Sequence, residues 1–348
     1  MIRFGPAGIP LSCKGRTLKD GIEDVHHLGL TALEAQLVRA SVQERAAEPE
    51  EVGMTPLELP ADMVIEIVRK KGPKEEVIYE LDTPIKAEDT LVALSSGLAT
   101  NYSDLDKLRI MAEELDVAMS IHTPYYMDLV SEGELSFKSM DSIRWGGIIA
   151  KALGGSMVVT HLGLYGDVDE KTAHKRIKGR IKELSVWYKK QKIKAPIGLE
   201  LSGRREIFGS LPEVAKLCKE NEGVVPVVNF AHYHAREHGK LKEPKDFDEL
   251  LDAVSDLANG EFYTHFSGVE HEDGNEKRYT SIKKGDLRFE PLAEAMVDRN
   301  DPITIISGSP LLEHDAMYMK VILERVLSKR VSKEVRETNN KKEKTGSR

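Results

Sequence analysis

MVVTH, residues 157–161, is a run of apolar and β-branched residues that ends on a histidine. A short, unbroken run of this kind reads as a strand buried on both faces, as in parallel sheets covered by helices. The same construction recurs along the chain. VAMSIH (117–122) and EFYTH (261–265) also end on histidine, and IGLE (197–200) ends on glutamate. VVPVVNF (224–230) carries Asn229 near its end, with His232 just beyond. Ile2–Gly5, Ala32–Leu37 and Ile303–Ser307 complete eight predicted strands. Helical patterns lie between them at Asp104–Leu115, Ser136–Leu153, Lys171–Lys190, Leu211–Glu220, Phe247–Ala258, Leu292–Val297 and His314–Leu327. Eight strands alternating with helices predict an α/β fold closed as a (β/α)8 TIM barrel.

The chain has 348 residues, 40% of them hydrophobic, enough for one large core. A single barrel domain is expected over residues 1–327. Residues 46–103 exceed a minimal barrel and read as an insertion on the rim between strands two and three. Within it, Ala61–Lys70 looks helical, and Val77–Ile85 and Leu91–Leu98 look like a hairpin or irregular pair. Residues 328–348 are basic and almost free of apolar side chains, a composition that predicts disorder. This tail is either simply solvated or an arm that contacts nucleic acid.

No run of about 18 apolar residues exists, so no membrane span is expected. The start, MIRFGPAGIPLSCKG, lacks the apolar core of a signal peptide. Cys13 and Cys218 stand far apart in no metal-type spacing, which fits a reducing, cytoplasmic compartment. The net charge of −8 argues against a uniformly basic nucleic-acid binder, although a local basic face can still bind phosphates. There is no GxxxxGK[ST], no GxGxxG after a strand and no GxSxG elbow. Nucleotide cofactors and acyl transfer are therefore unsupported.

In a barrel the C-terminal ends of all strands converge on one face. His122, His161, Glu200, Asn229, His232 and His265 would then share one pocket. One histidine at a strand end is more often a hydrogen-bonded rim residue than a ligand. Several, with a glutamate, each ending a different strand, form the donor set that divalent transition metals prefer.

The segments IHTPYYMDL, VVTHLGLYG, IGLELSGRREIFGSLPEV, VVPVVNFAHYHAR, FYTHFSG and TIISGSPLLEHDA resemble the corresponding segments of the endonuclease IV family (AP endonuclease family 2) within the xylose-isomerase-like barrels. MIRFGPAG looks like the first strand of archaeal-type members. The resemblance spans nearly the whole chain outside 46–103 and the tail. It implies a metal-dependent phosphodiesterase that cuts DNA 5′ to abasic sites, with one to three divalent ions, usually zinc, manganese being the alternative. Multi-metal phosphoryl transfer is the chemistry implied. Carried over, His122, His161 and Glu200 would hold the first ion and be the catalytic set. Glu200, Asn229 and His265 would hold the second, and His232 the third.

The departures from that pattern are informative. Asn229 stands where the family has aspartate, Gly308 where it has a last-strand glutamate, and Lys277–Tyr279 where it has an Asp-x-His pair. Asp128 replaces an asparagine. Reduced metal content and reduced activity are expected. Glu270, His271, Glu276 and His234 are nearby candidates to replace lost ligands, and His232 and His234 would share a face on a strand extension. Two other readings stay open: a non-catalytic relative that binds nucleic acid, and a sugar isomerase or epimerase. The last suffers because Glu200 is the only strand-end carboxylate recognised. The partner expected is abasic DNA, and the chain is expected to be a monomer.

Overall fold

The computed structural model describes residues 1–346. Eight strands form the barrel: β1 (Ile2–Pro6), β2 (Ala32–Gln36), β3 (Ala118–His122), β4 (Val158–Thr160), β5 (Ile197–Glu200), β6 (Val224–Asn229), β7 (Phe262–Phe266) and β8 (Ile303–Ser307). They make one sheet in the order β1-β8-β7-β6-β5-β4-β3-β2, with every ladder parallel. The two ends of that order meet. Thr31 N–H donates to Phe4 O at 3.0 Å, and Ala7 bridges Glu34 in parallel. Gly5 permits the meeting: a Cβ on it would stand 1.8 Å from Ala32 O. The expected α/β barrel is the fold.

Side chains alternate along each strand, so residues two apart share a face. Ala32, Met157, Val159, Val225, Val227, Tyr263 and Ile306 pack together as an inner layer. One step further along the same strands come Glu34, His161, Asn229, His265 and Gly308. The pleat that buries the inner layer therefore aims these residues into the barrel mouth.

The outer layer consists of α1 (Leu18–His27), α2 (Tyr102–Glu114), α3 (Glu134–Leu153), α4 (Glu170–Lys190), α5 (Leu211–Glu220), α6 (Phe230–Arg236), α7 (Pro244–Asp252), α8 (Phe289–Arg299) and α9 (Glu313–Gly346). Where the sequence predicts one helix over Phe247–Ala258, α7 stops at Asp252 and a 3-10 turn, Ser255–Leu257, follows. The helix predicted over Leu292–Val297 is longer, as α8. α9 runs through the basic stretch from 328 to Gly346; lysine, arginine and glutamate are good helix formers. Residues 347 and 348, the end of that tail, lie outside the described residues. Among the described residues no helix is long and apolar enough to cross a membrane.

The segment between β2 and β3 differs from expectation. Ala61–Lys70 is not helical. Val64–Lys71 is a strand, in keeping with the β-branched Val64, Ile65, Ile67 and Val68. It lies between Thr90–Ser95 and Lys74–Ile78, so the two expected hairpin partners pair with it and not with each other. Ser41–Ala46 adds a fourth antiparallel strand, which starts the insertion before residue 46. Met63, Ile65, Val92 and Leu94 join the main core, whereas Leu59, Val64, Ile67, Ile85 and Leu91 form a small core of their own.

Candidate metal centre

Glu200, 3% exposed at the end of β5, is the hub. Each of its carboxylate oxygens faces two imidazoles. His122 Nε2 and His161 Nδ1 lie 3.1 and 3.2 Å from Oε2. His265 Nδ1 and His232 Nε2 lie 2.8 and 3.8 Å from Oε1. The barrel thus gathers all the strand-end residues singled out from the sequence, but the two sides of the carboxylate differ.

On the Oε2 side the donors are free to ligate. His122 Nδ1 lies 2.7 Å from Thr123 O. A carbonyl only accepts, so Nδ1 carries a hydrogen; without an ion a second hydrogen on Nε2 donates to Glu200 Oε2, and its loss would turn the Nε2 lone pair to a cation. A ring N–H held by a backbone carbonyl is also how metal-binding histidines are commonly oriented. Burial pushes the His161 pKa down to about 4, so its ring is neutral and keeps its lone pair. Burial opposes charge on His122 as well, but Glu34 and then Glu200 outweigh it and hold its pKa above the ordinary value. His122, His161 and Glu200 present one donor atom each, all within 4.8 Å of one another. This donor set fits a divalent cation.

On the Oε1 side protein hydrogen bonds already fill the space. Asn229 Oδ1 accepts the backbone N–H of His232 at 3.1 Å, capping α6. That contact orients the amide. Its nitrogen, not its oxygen, turns to the site and donates to Glu200 Oε1 and to the Tyr279 hydroxyl, both at 2.7 Å. The ligand oxygen expected of Asn229 is therefore aimed away. His265 is held at both nitrogens, by Glu200 and, at 2.8 Å, by Glu34 Oε2. Burial opposes charge on His265, but Glu34 and Glu200 push its pKa up to about 10. Burial alone would raise the Glu200 pKa; His161, His265 and the hydrogen bond from His122 hold it well below the ordinary carboxylate value.

A hairpin of Gly268–Glu272 and Asn275–Thr280 follows β7 and folds back over the site. It delivers Glu276, which pairs with His232 Nδ1, and Tyr279, whose hydroxyl lies 2.9 Å from His232 Nε2. The Asp-x-His pair of the resemblance is thus answered by a carboxylate and a phenol. Of the four candidate replacements, Glu276 alone reaches this pocket. Glu270 pairs with Arg278. His234 does not share a face with His232, because both lie on α6 and not on a strand extension. His234 and His271 meet Asp286 instead, at 3.2 and 3.3 Å. Leu241 N–H donates to His234 Nδ1 at 3.1 Å, which leaves the proton on Nε2 and no lone pair there for a cation. Asp128, the other departure, is used locally: its Oδ1 accepts from Val130 and Ser131 N–H.

Glu34 is a site residue that sequence reasoning misses. It is 1% exposed and accepts from Tyr263 OH at 3.0 Å and Gln36 Nε2 at 2.9 Å. Burial would raise its pKa, but His265 and His122 hold it below the ordinary value. The available signal is a charged residue in mid-run within TALEAQL, in phase with Ala32. Glu200 is therefore not the only barrel-strand carboxylate in the pocket.

The site opens into a cavity of about 430 Å³ lined by these residues with Ala7, Thr123 and Leu312. A second cavity of about 300 Å³ adjoins it through Tyr125, His161, His232 and Glu276, and continues past Tyr126, Leu164 and Arg204. A barrel with a buried histidine–carboxylate cluster at its C-terminal mouth defines the class of protein. Residues 88–312 match the family described as xylose isomerase-like TIM barrel, and the chain belongs to it. It is 28% identical over 210 residues to the uncharacterized protein MJ0133 of Methanocaldococcus jannaschii, covering 59% of this chain and 76% of that protein. Endonuclease IV from Thermus thermophilus superposes with a TM-score of 0.60 at 17% identity, over 94% of this chain and 99% of that one. A D-tagatose 3-epimerase-like protein gives a TM-score of 0.60 at 15% identity, over 96% and 99%. At these identities the two structures speak for the fold alone.

Proposed function

We propose that the protein is a metal-dependent phosphodiesterase that acts on DNA at abasic sites, with one firmly held ion and reduced activity. The observation that carries this reading is the open donor set of His122, His161 and Glu200. Two imidazoles and one carboxylate with a free position are the ligand class of hydrolytic zinc sites. A cation held there supplies Lewis-acid polarisation of a phosphoryl oxygen and lowers the pKa of water. Around it, His265 is braced by Glu34 and Glu200, the hydroxyl of Tyr279 faces the cavity, and Arg204 offers a cationic contact on the adjoining groove. Tyr125 and Tyr126, 61% and 71% exposed, offer aromatic faces on which bases can stack. Zinc is the ion this donor set favours, with manganese the alternative.

A second reading, epimerisation of a small sugar, gains from one observation: Glu34 supplies a second buried carboxylate in the pocket. One experiment separates the two. The zinc-loaded protein is incubated with an abasic-site duplex and, in parallel, with a ketose. The expected result is slow strand cleavage that is abolished by chelator and by His161→Ala. Epimerised sugar without cleavage would overturn the phosphodiesterase reading.

A further inference from the structure

Resting on the metal reading above, we infer that Tyr279 occupies the place of a second cation and limits the centre to one ion. Glu200 offers two equivalent-looking environments, a pair of imidazoles on each oxygen. Only the Oε2 pair is free of other protein donors. On the Oε1 side the phenol lies 2.9 Å from His232 Nε2 and takes a hydrogen bond from Asn229 Nδ2 at 2.7 Å. Asn229 sends its other hydrogen to Oε1 itself. His232 Nδ1 pairs with Glu276, a carboxylate that fixes the hydrogen there and leaves Nε2 to accept from the tyrosine. Every atom that could face a cation on this side already has a hydrogen-bond partner.

The backbone of β8 makes room for this arrangement. A Cβ on Gly308 would lie 3.3 Å from the Tyr279 ring, so any side chain there crowds the phenol. Glycine at 308, the amide at 229 and tyrosine at 279 therefore form one interlocked unit. Restoring a carboxylate at 229 or 308 does not reopen the second position while Tyr279 stays, because its ring and hydroxyl fill it.

The test counts ions in the full chain after chelation and dialysis against zinc, by elemental analysis and titration calorimetry. Wild type is expected to hold one equivalent, lost in His161→Ala. Tyr279→Phe and Asn229→Asp are each expected to stay at one, because the ring remains. Asn229→Asp combined with Tyr279→Ala is expected to take a second equivalent. Loaded with manganese, wild type should give the resolved hyperfine spectrum of an isolated ion, and the double variant a spectrum broadened by coupling between ions. Two or more tightly held ions in wild type would overturn the inference while leaving the metal reading intact. No ion in wild type would instead overturn the metal reading. A folded double variant that stays at one equivalent in excess zinc would also overturn the inference, since something other than Tyr279 would then exclude the second ion.

Discussion

Glu34 and Asn229 mark what a sequence can and cannot disclose about single residues. The strand-end histidines and Glu200 are legible because each closes an apolar run. Glu34 is not, because it sits inside one, and only the barrel's pleat explains why a carboxylate belongs there. The sequence allows Asn229 to be a weak ligand because its oxygen could serve; which end of an amide faces the site is set by the helix that begins there. Glu34 grips His265 on the nitrogen opposite Glu200, so it steadies the face from which Glu200 reaches the ion. Glu34→Gln is expected to weaken zinc binding by about 10–100-fold, the usual effect of losing such a support, as read by calorimetry. His265 gives a pH prediction for the metal-free protein. Its folded pKa is about 10, against an ordinary value of about 6.5. Its contribution to stability is fully present below about pH 6.5 and is lost as pH rises toward 10. Urea unfolding of the chelated protein should show this decline between those limits, and His265→Gln should flatten it.

Among the elements, the apolar barrel strands and the helices with caps and apolar stripes declare themselves, and the strands of the insertion and the helix that follows β6 directly do not. Val64–Lys71 imitates a helix because its apolar residues at 64, 65, 67 and 68 permit both spacings; its β-branched content decides the matter once a sheet is there to receive it. α6 is a seven-residue helix between a strand and a turn, too brief for periodicity to register. That brevity hides the opposite directions taken by His232 and His234. The hairpin after β7 offers Glu270, His271 and Glu276 in sequence as candidate ligands, yet the two residues it brings to the pocket are Glu276 and Tyr279. The seam between β1 and β2 depends on one small residue. Gly5→Ala would press a methyl group into Ala32 O and force the strands apart. Overpacking of this order typically destabilises by about 1–3 kcal/mol. A lowered melting temperature and reduced zinc uptake are expected together, because Glu34 sits on the same seam. An unchanged melt would show that the strands adjust without loss.

For the molecule as a whole, ion binding and folding are linked. On the reading proposed above, ligands that converge from β3, β4 and β5 would hold a cation only when the barrel is formed, so zinc would bind the native state in preference to the unfolded chain. With free zinc at about 100 times its dissociation constant, the native state gains about 2.7 kcal/mol. Thermal melts with and without chelator should differ accordingly, and His161→Ala should erase the difference. Cleavage of abasic duplex is expected to be orders of magnitude slower than by a relative with its full ion cluster, since each ion contributes several kcal/mol to the transition state. Rates measured side by side in zinc and in manganese check this. The closure of the barrel also has a history within each newly made molecule. β1 leaves the ribosome before the seven other barrel strands, and its ladder partner β8 is the last of them, Ile2 pairing with Ile303. That edge of β1 must therefore wait, unpaired, until all the later barrel strands have been synthesised. The Ala7–Glu34 seam needs only the first two strands, but the pocket also needs β7 and the hairpin after it, so it is among the last features of the barrel to be finished.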